Sequence, residues 1–276
     1  MVKHPSLPTV TLACVDTRHP DQAWWAIQRC LSWVDVSQAL FFAPHGWSPP
    51  QPDRRLSVLP IEALKSIRDY NRFMLHDLVE HVQTDHALVM QWDGFITSPA
   101  LWSPGFLDWD YIGAPWYHGG SPGTVGNGGF SLRSRKLLTA LKALNPDTAE
   151  PEDMVICVAL RARLESEFGI RFAPLDVAQR FAYEYGPHRA AFGFHGMLNF
   201  AHALDATELK QWLDQAPPDL LSSQHARKLL KNLMQNGRST EALELLRRRA
   251  AHLGWTQDQL LLAARAYLWR LRDLGH

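Results

Sequence analysis

Short apolar runs alternate with helically spaced apolar positions over the first two-thirds of the chain. Thr9 to Val15 (TVTLACV) predicts a first strand buried on both faces. A polar loop, Asp16-Thr17-Arg18-His19-Pro20, follows, and Asp21 is expected to cap a helix reaching Trp33. Ala39 to Ala43 predicts a second strand, Pro44 to Arg55 a loop, and Leu56 to Leu59 a short third strand. Pro60 and Ile61 open a helical region to about Val82, with Phe73, Leu75, Leu78, Val79 and Val82 on one face. Ala87 to Met90 is an apolar run ending on Gln91-Trp92-Asp93-Gly94. A buried strand that ends on a carboxylate and a glycine delivers a charge to the mouth of a sheet. The same Asp-Gly pair is also a common hairpin signal.

Thr97 to Gly126 is rich in Pro, Gly and Trp and predicts a long irregular segment, which inside a compact domain is usually functional or mobile. Phe130 to Leu132 predicts a short strand, Arg135 to Leu144 a helix and Pro146 to Glu150 a loop. Glu152-Asp153 begin a helix with Cys157, Leu160, Leu164 and Phe168 on one side. Ile170 to Ala173 predicts another strand, and a polar-aromatic stretch from Phe181 ends in Phe192-Gly193-Phe194-His195-Gly196. Past Pro217-Pro218 the pattern becomes helical: Gln224 to Gln235, Thr240 to Leu253 and Gln257 to Leu274. Strand–loop–helix succession predicts an α/β domain over 1–215, with a helical appendage over 216–276.

Composition narrows the class. The chain has 276 residues, 46% hydrophobic and 20% charged, enough for a sizeable core. Net charge is zero, which argues against nucleic-acid binding over the whole surface. Cys14, Cys30 and Cys157 have no CxxC spacing and read as buried reduced thiols. The start lacks the apolar core of a signal peptide, and no apolar run is long enough to span a membrane. A soluble cytoplasmic protein is expected. Eleven tryptophans, several between Trp92 and Trp116, either fill core or stack on a sugar or nucleotide.

Candidate chemistry lies in Asp16-Thr17-Arg18, Gln91-Trp92-Asp93, Asn127-Gly128-Gly129, Glu152-Asp153 and His195. Each has a plain alternative. The glycines could serve a turn, the acids a helix dipole, and His195 could pack in a Gly-Phe turn. There is no Walker motif, and Ser131 stands where a GxGxxG fingerprint needs glycine. Nor is there a G-x-S-x-G elbow or an HExxH. One or two hard ligands plus an imidazole suit Mn2+ or Mg2+ shared with a diphosphate, whose oxygens supply the remaining ligands.

QWDGF, DYIGAPW, GNGGFSLRS, PEDMVIC and FGFHG occur in that order. Together they resemble the DUF5672 family and, more distantly, metal-dependent glycosyltransferases of the GT-A fold, from about Thr9 to His202. The resemblance implies a GT-A-like, mostly parallel mixed sheet flanked by helices. It implies transfer of a sugar from a nucleotide-diphosphate donor, UDP-linked, to a hydroxyl of a glycan or other acceptor, with inversion. In GT-A enzymes a D-x-D motif holds the metal and the donor diphosphate. Here it is Gln91-Trp92-Asp93, so Asp93 takes the metal role and Gln91 replaces the first acid without its charge. His195 matches a late histidine ligand. Asn127, Gly128, Gly129 and Trp116 would line the donor-sugar and acceptor pocket. Asp153 would be the general base, with Glu152 contacting or orienting the acceptor hydroxyl. Asp16, Thr17 and Arg18 would receive base and ribose, with Tyr70, Asn71 and Arg72 closing that pocket. Two rivals stay open: a non-catalytic glycan- or nucleotide-binding protein, motivated by Gln91, and a helical interaction module after Ser222. The same helices could bind acceptor, a protein partner or a second copy.

Overall fold

The computed structural model describes residues 4–118, 121–147 and 149–273. Of the segments named above, Met1–Lys3, Gly119, Gly120, Thr148 and 274–276 lie outside the described residues. The chain forms two units, Met1–His195 and Gly196–His276. Gly196–Gln215, inside the expected 1–215 domain, cluster with the helical unit.

The first unit is mixed α/β. Strand β1 (Ser6–Val15) leads to α1 (Pro20–Trp33), β2 (Asp35–Pro44) and β3 (Leu56–Ile61). Helix α2 (Ile67–Arg72) runs into a π turn, Phe73–Asp77, before β4 (His86–Met90). Strands β5 (Tyr111–Gly113), β6 (Pro115–His118), β7 (Ser121–Val125) and β8 (Phe130–Ser134) follow. The main sheet has the order β3-β2-β1-β4-β8-β5. Pairings among β3, β2, β1 and β4 are parallel, while β8 runs antiparallel to both its neighbours. The expected mostly parallel mixed sheet flanked by helices is therefore present.

Apolar periodicity explains one covering layer. Phe73, Met74, Leu78, Val79 and Val82 pack with Val15, Phe42, Val89 and Leu138 in one buried cluster. Helix α3 (Arg135–Leu144) contributes Leu138. It begins where Ser134 accepts the Leu137 N–H through its hydroxyl and ends on Asn145 at φ +47°, so both boundaries follow ordinary capping chemistry. Aromatic rings make a second cluster: Phe130 stacks on Phe181 at 5.3 Å, and Phe95 meets Phe194 edge-on at 4.7 Å. Trp102, half-buried, packs edge-on against Phe106 and Phe192 of this cluster.

Four sequence expectations are corrected. Asp21 does not cap α1. The cap position is His19 and Pro20 takes the first turn, while Asp16 accepts the N–H groups of Arg18 and His19. Pro60 and Ile61 belong to β3, paired with Ala43 and Pro44, and the helix begins only at Ile67. The segment from Thr97 to Gly126 is not irregular throughout, since it carries β5, β6 and β7. Ile170–Ala173 is not a strand. It makes one bridge, Phe172 to Tyr111, before Pro174 leads into α6 (Leu175–Phe181). Proline lacks the N–H that would extend the ladder.

The segment from Glu152 is helical in pieces: α4 (Glu152–Met154), a π turn over Val155–Ala159 and α5 (Arg161–Phe168). A short parallel pair, β9 (Ala182–Tyr183) and β10 (Gly193–Phe194), closes the unit.

The second unit contains α7 (Phe200–Ala203), α8 (Ala206–Gln215), α9 (Pro218–Ser222), α10 (Gln224–Gln235), α11 (Ser239–Leu253) and α12 (Gln257–Asp273). Helix α8 starts on a reciprocal box in which Asp205 and Glu208 accept each other's backbone N–H groups. Leu229, Leu230 and Leu233 of α10 and Ala242, Leu245 and Leu246 of α11 are buried, as their helical spacing predicts. No described helix is long and apolar enough to cross a membrane.

Candidate functional site

The order β2-β1-β4 reverses the direction of strand addition between β1 and β4. At such a point the crossovers leave on opposite sides and a crevice opens at the carboxyl ends of the strands. The register pairs Cys14 with Met90, so Asp16 and Gln91-Trp92-Asp93 emerge beside each other there. Burial pushes the Asp16 carboxyl up, the N–H groups of His19 and Arg18 pull it down, and the charge of Asp93 raises it. Gly94 donates its N–H to the Gln91 carbonyl at 3.1 Å, closing a tight turn. The antiparallel partner of β4 is the distant β8, so the turn does not make a hairpin. It folds Asp93 inward to 4% exposure.

His195 arrives beside Asp93 because of the β9–β10 register. Ala182 pairs with Gly193 and Tyr183 with Phe194. The next residues on the two strands are Glu184 and His195. Nε2 of His195 lies 3.4 Å from Asp93 Oδ1 and 3.2 Å from Gln91 Oε1. Its Nδ1 lies 3.2 Å from Glu184 Oε1. Burial opposes a charge on this ring, but Asp93 and Glu184 outweigh it and hold the imidazole well above its ordinary pKa. Gln91 donates through Nε2 to the Tyr70 hydroxyl at 2.8 Å. Gly129 is required here: a Cβ on it would sit 2.1 Å from His195 Nε2.

The glycine-rich segment joins this group to a second one. Asn127, at φ +49°, donates through Nδ2 to Glu184 Oε2 at 2.7 Å. Gly128 touches the acidic pair, since a Cβ there would lie 1.9 Å from Glu152 Oε1. Asp153 Oδ2 accepts the Gly128 N–H at 3.3 Å, and Asp153 Oδ1 accepts the Met154 N–H at 2.8 Å. Burial, then the neighbouring charge of Glu152, raises the Asp153 carboxyl above its usual range. Glu152 is buried and receives Arg133 Nη2 at 2.6 Å. Arg133, fully buried, also bonds Ser131 Oγ and the Gly128 carbonyl. One Glu152 oxygen, Oε1, is therefore already committed to Arg133.

Tyr70, Gln91, Asp93, Asn127, Gly129 and His195 thus come together, with Gly128, Glu152 and Asp153 alongside. Asn71 is buried and holds the Glu150 carbonyl through Nδ2 at 2.7 Å, fixing the approach to the acidic pair. Thr17 accepts the Leu64 N–H on its hydroxyl, and Arg18 is exposed. Trp92 meets His19 edge-on at 6.4 Å. Trp116 packs over Gly126, whose Cβ would lie 2.2 Å from its ring. Thr17, Arg18 and Trp116 are not tied to the central group by any of these contacts.

Sequence reasoning missed Arg133 and Glu184. Glu184 had a signal: Phe181-Ala182-Tyr183 is an apolar run ending on a carboxylate, the form already recognised at Asp93. Arg133 had none, because an arginine at a strand end usually reaches water.

Among the described residues no group of three His, Cys, Asp or Glu side chains is arranged to hold a metal. Asp93 and His195 form a pair, and Gln91 Oε1 supplies a third donor within 3.2 Å of the imidazole. A carboxylate behind the far ring nitrogen, as Glu184 is, typically orients a ligating histidine. This donor set fits a divalent ion that reaches the site with phosphate oxygens to complete its shell.

Comparison with known proteins gives three results. A family model described as "Protein of unknown function (DUF5672)" matches residues 54–195, 142 of the 276 residues. No curated protein matches the chain. Among solved structures, an active-site mutant of LgtC is similar at 11% identity and TM-score 0.45, covering 76% of this chain and 98% of that one. A mannosyltransferase from Pyrobaculum calidifontis, in complex with GDP-Man and Mn2+, is similar at 12% identity and TM-score 0.39, covering 97% and 84%. At these scores neither likeness carries functional weight.

Proposed function

The chain belongs to the DUF5672 family, and from that premise we propose that it is a glycosyltransferase of GT-A-like fold using a nucleotide-sugar donor, UDP-linked, with Mn2+ or Mg2+. The observation that supports this most is the meeting of Asp93, Gln91 and His195 at the carboxyl ends of β1 and β4, beside a glycine segment and a second acid, Asp153. Asp93, His195 and Gln91 would hold the ion. When bound, a divalent ion there neutralises charge on the leaving diphosphate.

The remaining roles belong to the chain. Gly128 and Gly129 lack side chains where a ligand must come close to backbone. Asp153 takes the proton from the acceptor hydroxyl while that oxygen bonds the anomeric carbon. The bond from that carbon to the diphosphate oxygen breaks, and its electron pair leaves with the nucleotide. Attack from the face opposite the diphosphate makes the enzyme inverting. Burial and Glu152 raise the affinity of Asp153 for this proton. Arg133 ties down Glu152, so the two neighbouring acids do different jobs.

Incubation with a panel of UDP- and GDP-sugars and Mn2+ tests the reading, with nucleoside diphosphate release as the signal. Release from one donor, lost in Asp93→Ala and in Asp153→Asn, is expected. If neither variant changes the release, the site is misassigned. A second reading, a non-catalytic glycan- or nucleotide-binding protein, is favoured by the neutral Gln91 in place of an acid. Tight donor binding with no release, even to water, would select it.

A further inference from the structure

Glu184 does two things with one carboxylate. Oε1 lies 3.2 Å from His195 Nδ1, and Oε2 accepts from Asn127 Nδ2 at 2.7 Å. Its side chain is 11% exposed. An ionised carboxylate can only accept, so the Asn127 atom facing it must be the amide nitrogen. That nitrogen also lies 2.9 Å from His195 Nδ1. Asn127 is 5% exposed, and its other amide atom, Oδ1, is buried with no hydrogen-bond partner. The residue is held at φ +49°, a conformation uncommon outside glycine.

A buried amide oxygen without a donor is costly. Asn127 stands next to Gly128 and Gly129, where the pocket of the proposed donor sugar or acceptor would be. We propose that Glu184 is a positioning residue that fixes the polarity of the Asn127 amide, presenting Oδ1 as an acceptor for one hydroxyl of the bound sugar. This rests on the glycosyltransferase reading and deepens it, because it assigns the group that reads a sugar hydroxyl. Specificity would follow from an unpaired buried acceptor: a ligand with a hydrogen-bond donor satisfies it, and one lacking that donor does not.

Glu184→Gln separates this role from packing. The variant keeps the volume but offers one acceptor and one donor. If the introduced amide oxygen keeps the bond from His195 Nδ1–H, the introduced amide nitrogen faces Asn127. Asn127 then turns over, spends Oδ1 on that nitrogen and aims Nδ2 where the acceptor had been. Glu184→Ala removes both partners.

Two measurements on the full chain test the proposal. The first is the side-chain amide 15N spectrum of Asn127 without ligand. In the wild type its Nδ2 protons are expected to be protected from exchange. In Glu184→Gln they are expected to lose protection and shift. Free exchange in the wild type, or an unchanged resonance in Glu184→Gln, overturns the proposal. The second compares binding of the nucleotide sugar that the panel selects with binding of its own nucleoside diphosphate, both with Mn2+. Glu184→Gln is expected to lower the affinity of the nucleotide sugar by about tenfold more than that of its nucleoside diphosphate, as for one lost hydrogen bond to the sugar. Glu184→Ala should weaken both. Equal loss for nucleoside diphosphate and nucleotide sugar in Glu184→Gln would make Glu184 a support for His195 alone and overturn the polarity role. If the wild type binds no nucleotide sugar, the glycosyltransferase reading fails, while the amide spectrum still decides what Glu184 does to Asn127.

Discussion

Among the described residues, each unit of the chain buries one arginine almost completely, and the two are handled differently. Arg133, in the α/β unit, is fully buried and points Nη2 at Glu152 Oε1, 2.6 Å away. Arg249, in the helical unit, is 2% exposed and gives Nη1 to the carbonyls of Leu221 and Ser223 at 2.6 and 2.7 Å. Burial disfavours charge on both. At Arg133 the Glu152 carboxylate outweighs burial and raises the guanidinium's pKa. At Arg249 burial wins over Asp258 and lowers it. The helical unit uses its arginine to satisfy backbone carbonyls where α9 meets α10. The α/β unit buries a full ion pair under Gly128, where replacement by apolar residues would usually cost nothing in stability. A buried pair retained beside a glycine segment and an acid is better explained by what it positions than by what it stabilises.

The contrast can be broken at four points. The largest effect is expected from Asp93→Ala, which should lower transfer by about a thousandfold, roughly 4 kcal/mol of lost charge stabilisation. Initial rates with the selected donor and Mn2+ measure it, and a fall under about tenfold would remove Asp93 from the ion site. Arg133→Met should follow. It strands Glu152 and should destabilise the α/β unit by about 3–5 kcal/mol, read from the denaturant midpoint. If Arg133→Met instead leaves stability intact and abolishes donor binding, the pair serves the ligand alone.

Arg249→Met should cost less, about 2 kcal/mol, because it leaves neutral carbonyls rather than a charge unpaired. Urea melts measure the loss, and donor affinity should stay unchanged. A change in donor affinity would erase the contrast between the two arginines. The smallest effect concerns Asp153. Its folded pKa is raised above 3.8, so folding favours the neutral acid. As pH climbs past 3.8, the unfolded chain ionises first, and stability falls until the raised value is passed. Asp153→Asn should therefore lose this decline and melt slightly higher near neutrality. In the wild type the rate should rise with pH through that raised value. A rate flat across the acidic range would contradict the base role.

How much of this was legible in the chain varies with the range of the interaction. Helix α3 was readable at both ends, because Ser134 and Asn145 act on the turn beside them. The strand before Asp93 was readable because Ala87 to Met90 carries no turn former. Ile170–Ala173 misled, because strand propensity cannot say whether a partner ladder is free. Pro60 and Ile61 misled in the opposite direction, since pairing with β2 overrode a helix-start signal.

The sequence by itself determined the elements whose signals lie within one turn or strand, such as β4 and α3, the apolar faces of the helices, and the candidates Asp93, Asn127, Asp153 and His195. Each depends on residue type and short spacing, which a linear reading can see. Only the tertiary structure decided that β4 lies beside β1 at the reversal of the sheet, so that Asp16 and Asp93 stand at adjacent strand ends. It also decided that Glu184 stands behind His195 and that Arg133 holds Glu152. These are contacts between segments far apart in the chain, set by strand order and register, and no local pattern encodes them.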